Sequence, residues 1–110
     1  MLFRSVNYRG NLGHGAVLRF PGSYPHEKYV DLMLVEFPDS DRKFGFVVST
    51  GHKAGLILVK LPKEAEAVGS AGIDRQWLID NWNAWIYEAA NVGDVYVAEH
   101  YPVPARPNCK

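Results

Sequence analysis

A single cysteine, Cys109, stands next to last in the 110-residue sequence. It leaves no internal disulfide to form, and it argues against a thiolate metal site or a buried cysteine nucleophile. Net charge is missing too. Twelve acidic and twelve basic side chains cancel, so there is no bulk field to hold nucleic acid or an anionic membrane. No apolar run approaches the roughly 20 residues that span a bilayer. The opening "MLFRSVNYRGNLGHGAV" lacks the apolar core of a signal peptide. No internal repeat is present. These absences lead to the expectation of a soluble cytoplasmic protein that needs no cofactor.

What is present is a chain with 47% apolar residues, of a length that suits one hydrophobic core. Up to residue 61 it reads as strands separated by turn residues. "MLFRSVNY" is followed by the turn cluster "RGNLGHG", "AVLRF" stops at Pro21-Gly22, and "KYVDLMLVEF" runs to Pro38. In the last of these, Val30, Leu32 and Leu34 alternate with Tyr29, Met33, Val35 and Phe37, as a central strand requires. The short connections "PDSDR" and "GHKAG" then make a meander from about 28 to 61, which must be antiparallel because no crossover helix fits. "KEAEAVGSAG" reads as a flexible linker or exposed loop. A last strand is expected in "DVYVAEHY". The organisation implied is a single α+β domain over 1–101 and a proline-rich tail over 102–110.

The one segment with helical period is "DRQWLIDNWNAWIY", which carries all three tryptophans of the chain. Asp74 suits the N-cap, and Ile73 stands where a hydrophobic staple would meet Leu78. At about 100° per residue, Leu78, Ile79, Trp82, Trp85, Ile86 and Ala89 form one stripe, which places a helix over about 74–89 against the sheet. Trp77 falls on the opposite side, near Ala84 and Tyr87 and among Asp80, Asn81 and Glu88. Two readings of Trp77 stand open: it packs on the preceding loop, Ile73 or the N-terminal strand, or it belongs to an exposed patch of the kind that anchors a protein partner. Charge adds to the second. From Glu64 to His100 there are seven acidic residues (Glu64, Glu66, Asp74, Asp80, Glu88, Asp94, Glu99) and one basic residue, Arg75, enough to steer a basic partner unless they are only a solvated surface.

Reactive constellations are sparse. His14, His26, His52 and His100 have no metal-ligand spacing. "TGHKAG" lacks the spacing of a phosphate-binding loop and joins two strands instead of opening a helix. "NLGHG" and "FPGSY" lack the form of a nucleophile elbow. Asp31 and Glu36 point to opposite faces of their strand and cannot act as a pair. Asp31, amid apolar neighbours, needs either solvent or a partner such as Arg19 or Lys43. Tyr29, Phe44 and Phe46 are not interleaved with a basic stripe.

"GLILVKLPKEA" followed by "IDRQWLIDNWNAWIY", together with the preceding "YVDLMLVEF" and "FVVSTGHKAG", resembles the bacterial immunity proteins of polymorphic toxin systems, in particular the immunity protein 45 family. The resemblance runs from about Tyr29 to Tyr87. It implies a small α+β protein that binds the C-terminal domain of a cognate toxin, such as a nuclease, in the cytoplasm and blocks its active site or substrate approach. Such proteins have no catalytic residues to transfer. Gly51, Lys53, Gly55, Leu61, Pro62, Trp77, Leu78, Trp82 and Trp85 would be determinants of the fold.

The expectations are therefore an antiparallel sheet of about five or six strands on one main helix, and a non-enzymatic inhibitor that is monomeric when free. Its partner is a protein, with no nucleic acid, membrane or metal. The partner-binding candidates are Trp77, Asp80, Glu88 and Tyr87, with Asp94 and Glu99. One alternative is a small enzyme or ligand-binding domain with a pocket near His14, Ser23 and His52. A third reading is an adaptor that dimerises through the exposed edge of the meander.

Overall fold

The computed structural model describes residues 3–4, 10–22, 28–38, 40–69, 71–88 and 90–101. Ser23, His26, Ala89, Cys109 and the tail over 102–110 lie outside the described residues. Among the described residues, six strands form one antiparallel sheet: β1 (Phe3–Arg4), β2 (Val17–Pro21), β3 (Tyr29–Glu36), β4 (Phe44–Val48), β5 (Ile57–Lys60) and β6 (Tyr96–Ala98). Their order across the sheet is β1-β6-β2-β3-β4-β5. The expected meander is β3-β4-β5, joined by short turns. β6, last in the chain, inserts between β1 and β2 and pairs Val17 with Ala98 and Arg19 with Tyr96.

Period-two alternation divides the sheet into two faces. Leu18 and Phe20 of β2, Val30, Leu32 and Leu34 of β3, and Phe44, Phe46 and Val48 of β4 enter one buried cluster with Val97 of β6. The helix covers this face with Leu78, Trp82 and Ile86. Arg19, Asp31, Met33 and Val47 take the alternate positions on the other face.

Asp74 caps the helix as expected, its carboxylate accepting from the Trp77 amide at 3.0 Å. Regular α geometry then holds only over α1 (Arg75–Asn81), and the chain continues as a π turn over Trp82–Ile86. The expected single helix over 74–89 is thus shorter and changes pitch. Asn81 is the point of change. Its side-chain amide donates to the Trp77 carbonyl at 2.9 Å, competing with the regular ladder, while its own backbone leaves helical geometry. The Tyr87 amide then donates to the Trp82 carbonyl at 3.1 Å, which closes the wider turn. Beyond it, Asn83 Nδ2 reaches the carbonyl of Ala90 at 2.8 Å and those of Tyr87 and Glu88 at 3.3 Å, folding the exit back on the helix.

"KEAEAVGSAG" is tied down more firmly than its composition suggests. Ala65 is buried, Glu66 bridges to Ile73, and Ile73 exchanges backbone hydrogen bonds with Leu12 at 2.8 and 3.1 Å. Gly72 permits this crossing: its φ is +146°, and a Cβ there would run into the Leu12 carbonyl oxygen. Gly72 thus serves close approach of two backbones, while Val68, Gly69 and Ala71 are exposed, as expected of a loop.

Trp82 is the largest fully buried side chain. It meets Phe20 edge-on at 5.1 Å and its indole N–H donates to the Ala90 carbonyl at 3.0 Å. Trp85, assigned to the same stripe, is only half-buried. Trp82→Ala is expected to lower unfolding free energy by about 3–5 kcal/mol in denaturant melts. Trp85→Ala should cost clearly less, within the roughly 0.5–3 kcal/mol of ordinary single substitutions. Equal losses at the two positions would contradict this packing.

Candidate functional site

The change of helix pitch brings two tryptophans side by side. Each residue of a π turn advances less than the α-helical 100°, so Trp85 swings back toward the side that carries Trp77. The two rings stand 5.9 Å apart at 55°. The Arg42 guanidinium, from the turn between β3 and β4, lies 5.7 Å from the centre of the Trp85 ring. Both indoles pack against the core and remain partly accessible. Trp77 packs against the core cluster that includes Ile73 and is partly buried, which agrees with the first sequence reading more than with an exposed patch; its neighbour Trp85 was not anticipated.

The other expected contact residues do not gather on this pair. Asp80 is exposed on α1, where its carboxylate accepts from Gln76 Nε2 at 2.9 Å. Glu88 is exposed just past the π turn. Tyr87 turns inward, its ring 4.7 Å from Phe20 at 49°, and is half-buried. Asp94 and Glu99 are exposed on either side of β6. Asp94 lines a concavity rather than the surface that carries Trp77.

That concavity, about 730 Å³ in volume, is bordered by Arg19, Pro21, Tyr29, Asp31, Asp94 and Tyr96. Its base is a polar clamp. Asp31 is 1% exposed yet fully partnered: Arg19 Nε donates to one carboxylate oxygen at 2.7 Å, and Arg19 Nη2 and the Tyr101 hydroxyl donate to the other at 2.8 and 2.9 Å. Of the two partners expected for Asp31, the structure selects Arg19, directly opposite it in the β2–β3 register. Ser49 Oγ stands 2.6 Å from the Tyr101 oxygen. The Ser49 hydroxyl also donates to the Asp31 backbone carbonyl at 3.2 Å, so either hydroxyl can be the donor in that contact. Hydrogen bonding to Asp31 holds the Arg19 guanidinium above its ordinary pKa. Burial pushes the Tyr101 hydroxyl up, reinforced by its bond to Asp31 and opposed by Ser49.

The clamp works structurally. It ties residue 101, beyond β6, to β3 and β4 on the face of the sheet away from the helix. The tyrosines at the concavity's rim occupy positions 29 and 96, paired across strands with Pro21 and Arg19. Sequence reasoning assigned none of these a contact role. The available signal was the outward register of Tyr29 with Asp31 and of Arg19 with Pro21.

The alternative pocket does not coincide with this concavity. His14 contacts Glu36 at 3.1 Å, and His52 stands in the turn between β4 and β5. Neither lines it. Among the described residues, no three His, Cys, Asp or Glu side chains are grouped to hold a metal ion, and no helix is long and apolar enough to cross a membrane.

Comparison with known proteins adds one positive result: the family model described as Immunity protein 45 matches residues 5–97. No curated protein and no solved structure matches the chain.

The Tyr101 clamp has a consequence for alkaline stability. A hydroxyl whose folded pKa is raised above its ordinary 10.0 favours the fold fully below that value, and the contribution is lost as pH rises through the folded pKa. Stability measured by denaturant melts from about pH 9 to 12 should therefore fall more steeply in the wild type than in Tyr101→Phe. Parallel curves would show that Tyr101 ionisation is not coupled to folding.

Proposed function

Because the chain belongs to the immunity protein 45 family, we propose that it binds and neutralises the C-terminal domain of a cognate bacterial toxin, acting by stoichiometric contact and not by turnover. The family match, covering most of the chain, carries this reading. The protein would act in the cytoplasm of the producing cell, as a monomer before it meets the toxin, and without a cofactor.

The contact surface we assign is the Trp77–Trp85 pair with Asp80 and Glu88 beside it. Aromatic residues that pack against a core and remain partly accessible have the character of interface hot spots, since less side-chain freedom remains to be lost on binding. The acidic excess of the segment from Glu64 to His100 supports a basic partner surface. A nuclease is one such partner. Its phosphate-binding cleft would meet carboxylates in place of nucleic acid, which obstructs substrate approach directly. Asp94 and Glu99 would contribute long-range attraction in this scheme. Tyr87, packed on Phe20, would act mainly by holding the end of the helix.

Two measurements test the reading. Co-expression with the toxin domain encoded beside this gene should restore growth, and the two chains should purify together at one-to-one stoichiometry. Trp77→Ala should then weaken binding by about 30-fold, the loss that a hot spot of about 2 kcal/mol produces. Charge reversal at Asp80 and Glu88 should slow association and flatten its salt dependence. Tight binding that is indifferent to all three changes would remove this face from the interface while leaving the inhibitor role intact.

A further inference from the structure

β5 closes the sheet on one side, so its outer edge has no neighbouring strand among the described residues. The strand and the residue before it carry three consecutive large apolar side chains in solvent: Leu56 is 59% exposed, Ile57 54% and Leu58 37%. An apolar edge strand usually invites unwanted pairing, and proteins blunt such edges with charge, proline or a covering segment. A register irregularity opposite Phe46 and Val47 is present here, but the apolar run itself is uncovered.

We infer that the β5 edge is a second docking element for the toxin, which receives an extended apolar segment with acidic flanks as an added strand. This rests on the toxin-binding reading above. Charge identifies the occupant. From Arg42 to Lys63 there are five basic residues (Arg42, Lys43, Lys53, Lys60, Lys63) and no acidic one. Lys53 precedes the apolar run, and Lys60 and Lys63 follow it; all three are exposed. A second copy of this chain would bring the same basic unit against itself, whereas an acidic-flanked strand gains at both ends.

The edge also adjoins the aromatic surface. Arg42 donates from Nη1 to the Lys60 carbonyl at 3.2 Å while its guanidinium lies over Trp85. The run from Trp77 through Trp85 and Arg42 to β5 is thus one continuous surface, acidic at the helix and basic at the strand. Such a dipolar surface fixes the orientation in which a partner with the complementary arrangement can dock.

The experiment uses the full chain and the toxin domain encoded beside it. Amide hydrogen exchange is followed with and without that domain, and affinity is measured for the wild type, Ile57→Lys and the double variant Lys53→Glu/Lys63→Glu. The proposal expects new protection at residues 57–60 on binding and a loss of affinity of tenfold or more in each variant. The double variant leaves the apolar run unchanged, so it remains informative if Ile57→Lys lowers the melting temperature. If the wild type binds without protection at 57–60, or both variants bind as tightly, the edge proposal falls and the inhibitor reading survives. If the wild type does not bind the toxin domain at all, the inhibitor reading falls as well. Concentration-dependent dimerisation of the free chain with protection at 57–60 would assign the edge to a second copy and overturn the proposal.

Discussion

One helical segment has to shield the buried face of a six-stranded sheet, and the rest of the structure depends on how Trp82 meets that demand. A two-turn α-helix offers few side chains to the sheet, so a single large one at the centre must fill the space. Trp82 does so against Phe20, and its indole N–H, which burial would otherwise leave unpaired, is satisfied by Ala90. That hydrogen bond requires the chain to return past the helix end. Asn83 holds the same carbonyl, so the exit of the helix and the seating of its main anchor are one arrangement.

The π turn that begins after Asn81 has an external effect. With Trp82 directed inward and the backbone widened after it, Trp85 is displaced from the buried stripe and comes to rest near Trp77. Burial of one tryptophan thereby leaves two others side by side and partly accessible. The opposite face of the sheet solves a different problem. Asp31 lies in a strand that is apolar on both sides, and a lone carboxylate there would be costly. The fork to Arg19 and the hydroxyl of Tyr101 satisfy it. The same contacts orient Arg19 between Tyr29 and Tyr96 and fasten the segment after β6.

Much of this was legible in the residues. Alternation in "YVDLMLVEF" identifies a central strand, short polar connections fix an antiparallel meander, and Asp74 marks the start of the helix; each depends on interactions within a few positions of the chain. Asp31 was also legible as a group in need of a partner, and Arg19 as one of two that could supply it. The candidate site was less accessible. A helical wheel assumes constant pitch, and once Asn81 diverts the ladder the positions of Trp85 and Tyr87 no longer follow from counting residues. "KEAEAVGSAG" shows a related limit: composition marks an exposed loop, but the close crossing of Gly72 with Leu12 is visible only in the fold.

The sequence by itself determined the fold class, the strand periodicity and the uneven charge, because periodicity and composition act locally and are present in the chain before it folds. Tertiary structure alone decided which strand lies beside β2, which partner Asp31 takes, and which tryptophans share a surface. Those outcomes arise from contacts between residues far apart in the chain. Arg42 reaches Trp85, Tyr101 reaches Asp31, and each geometry exists only after the sheet has brought its strands into register.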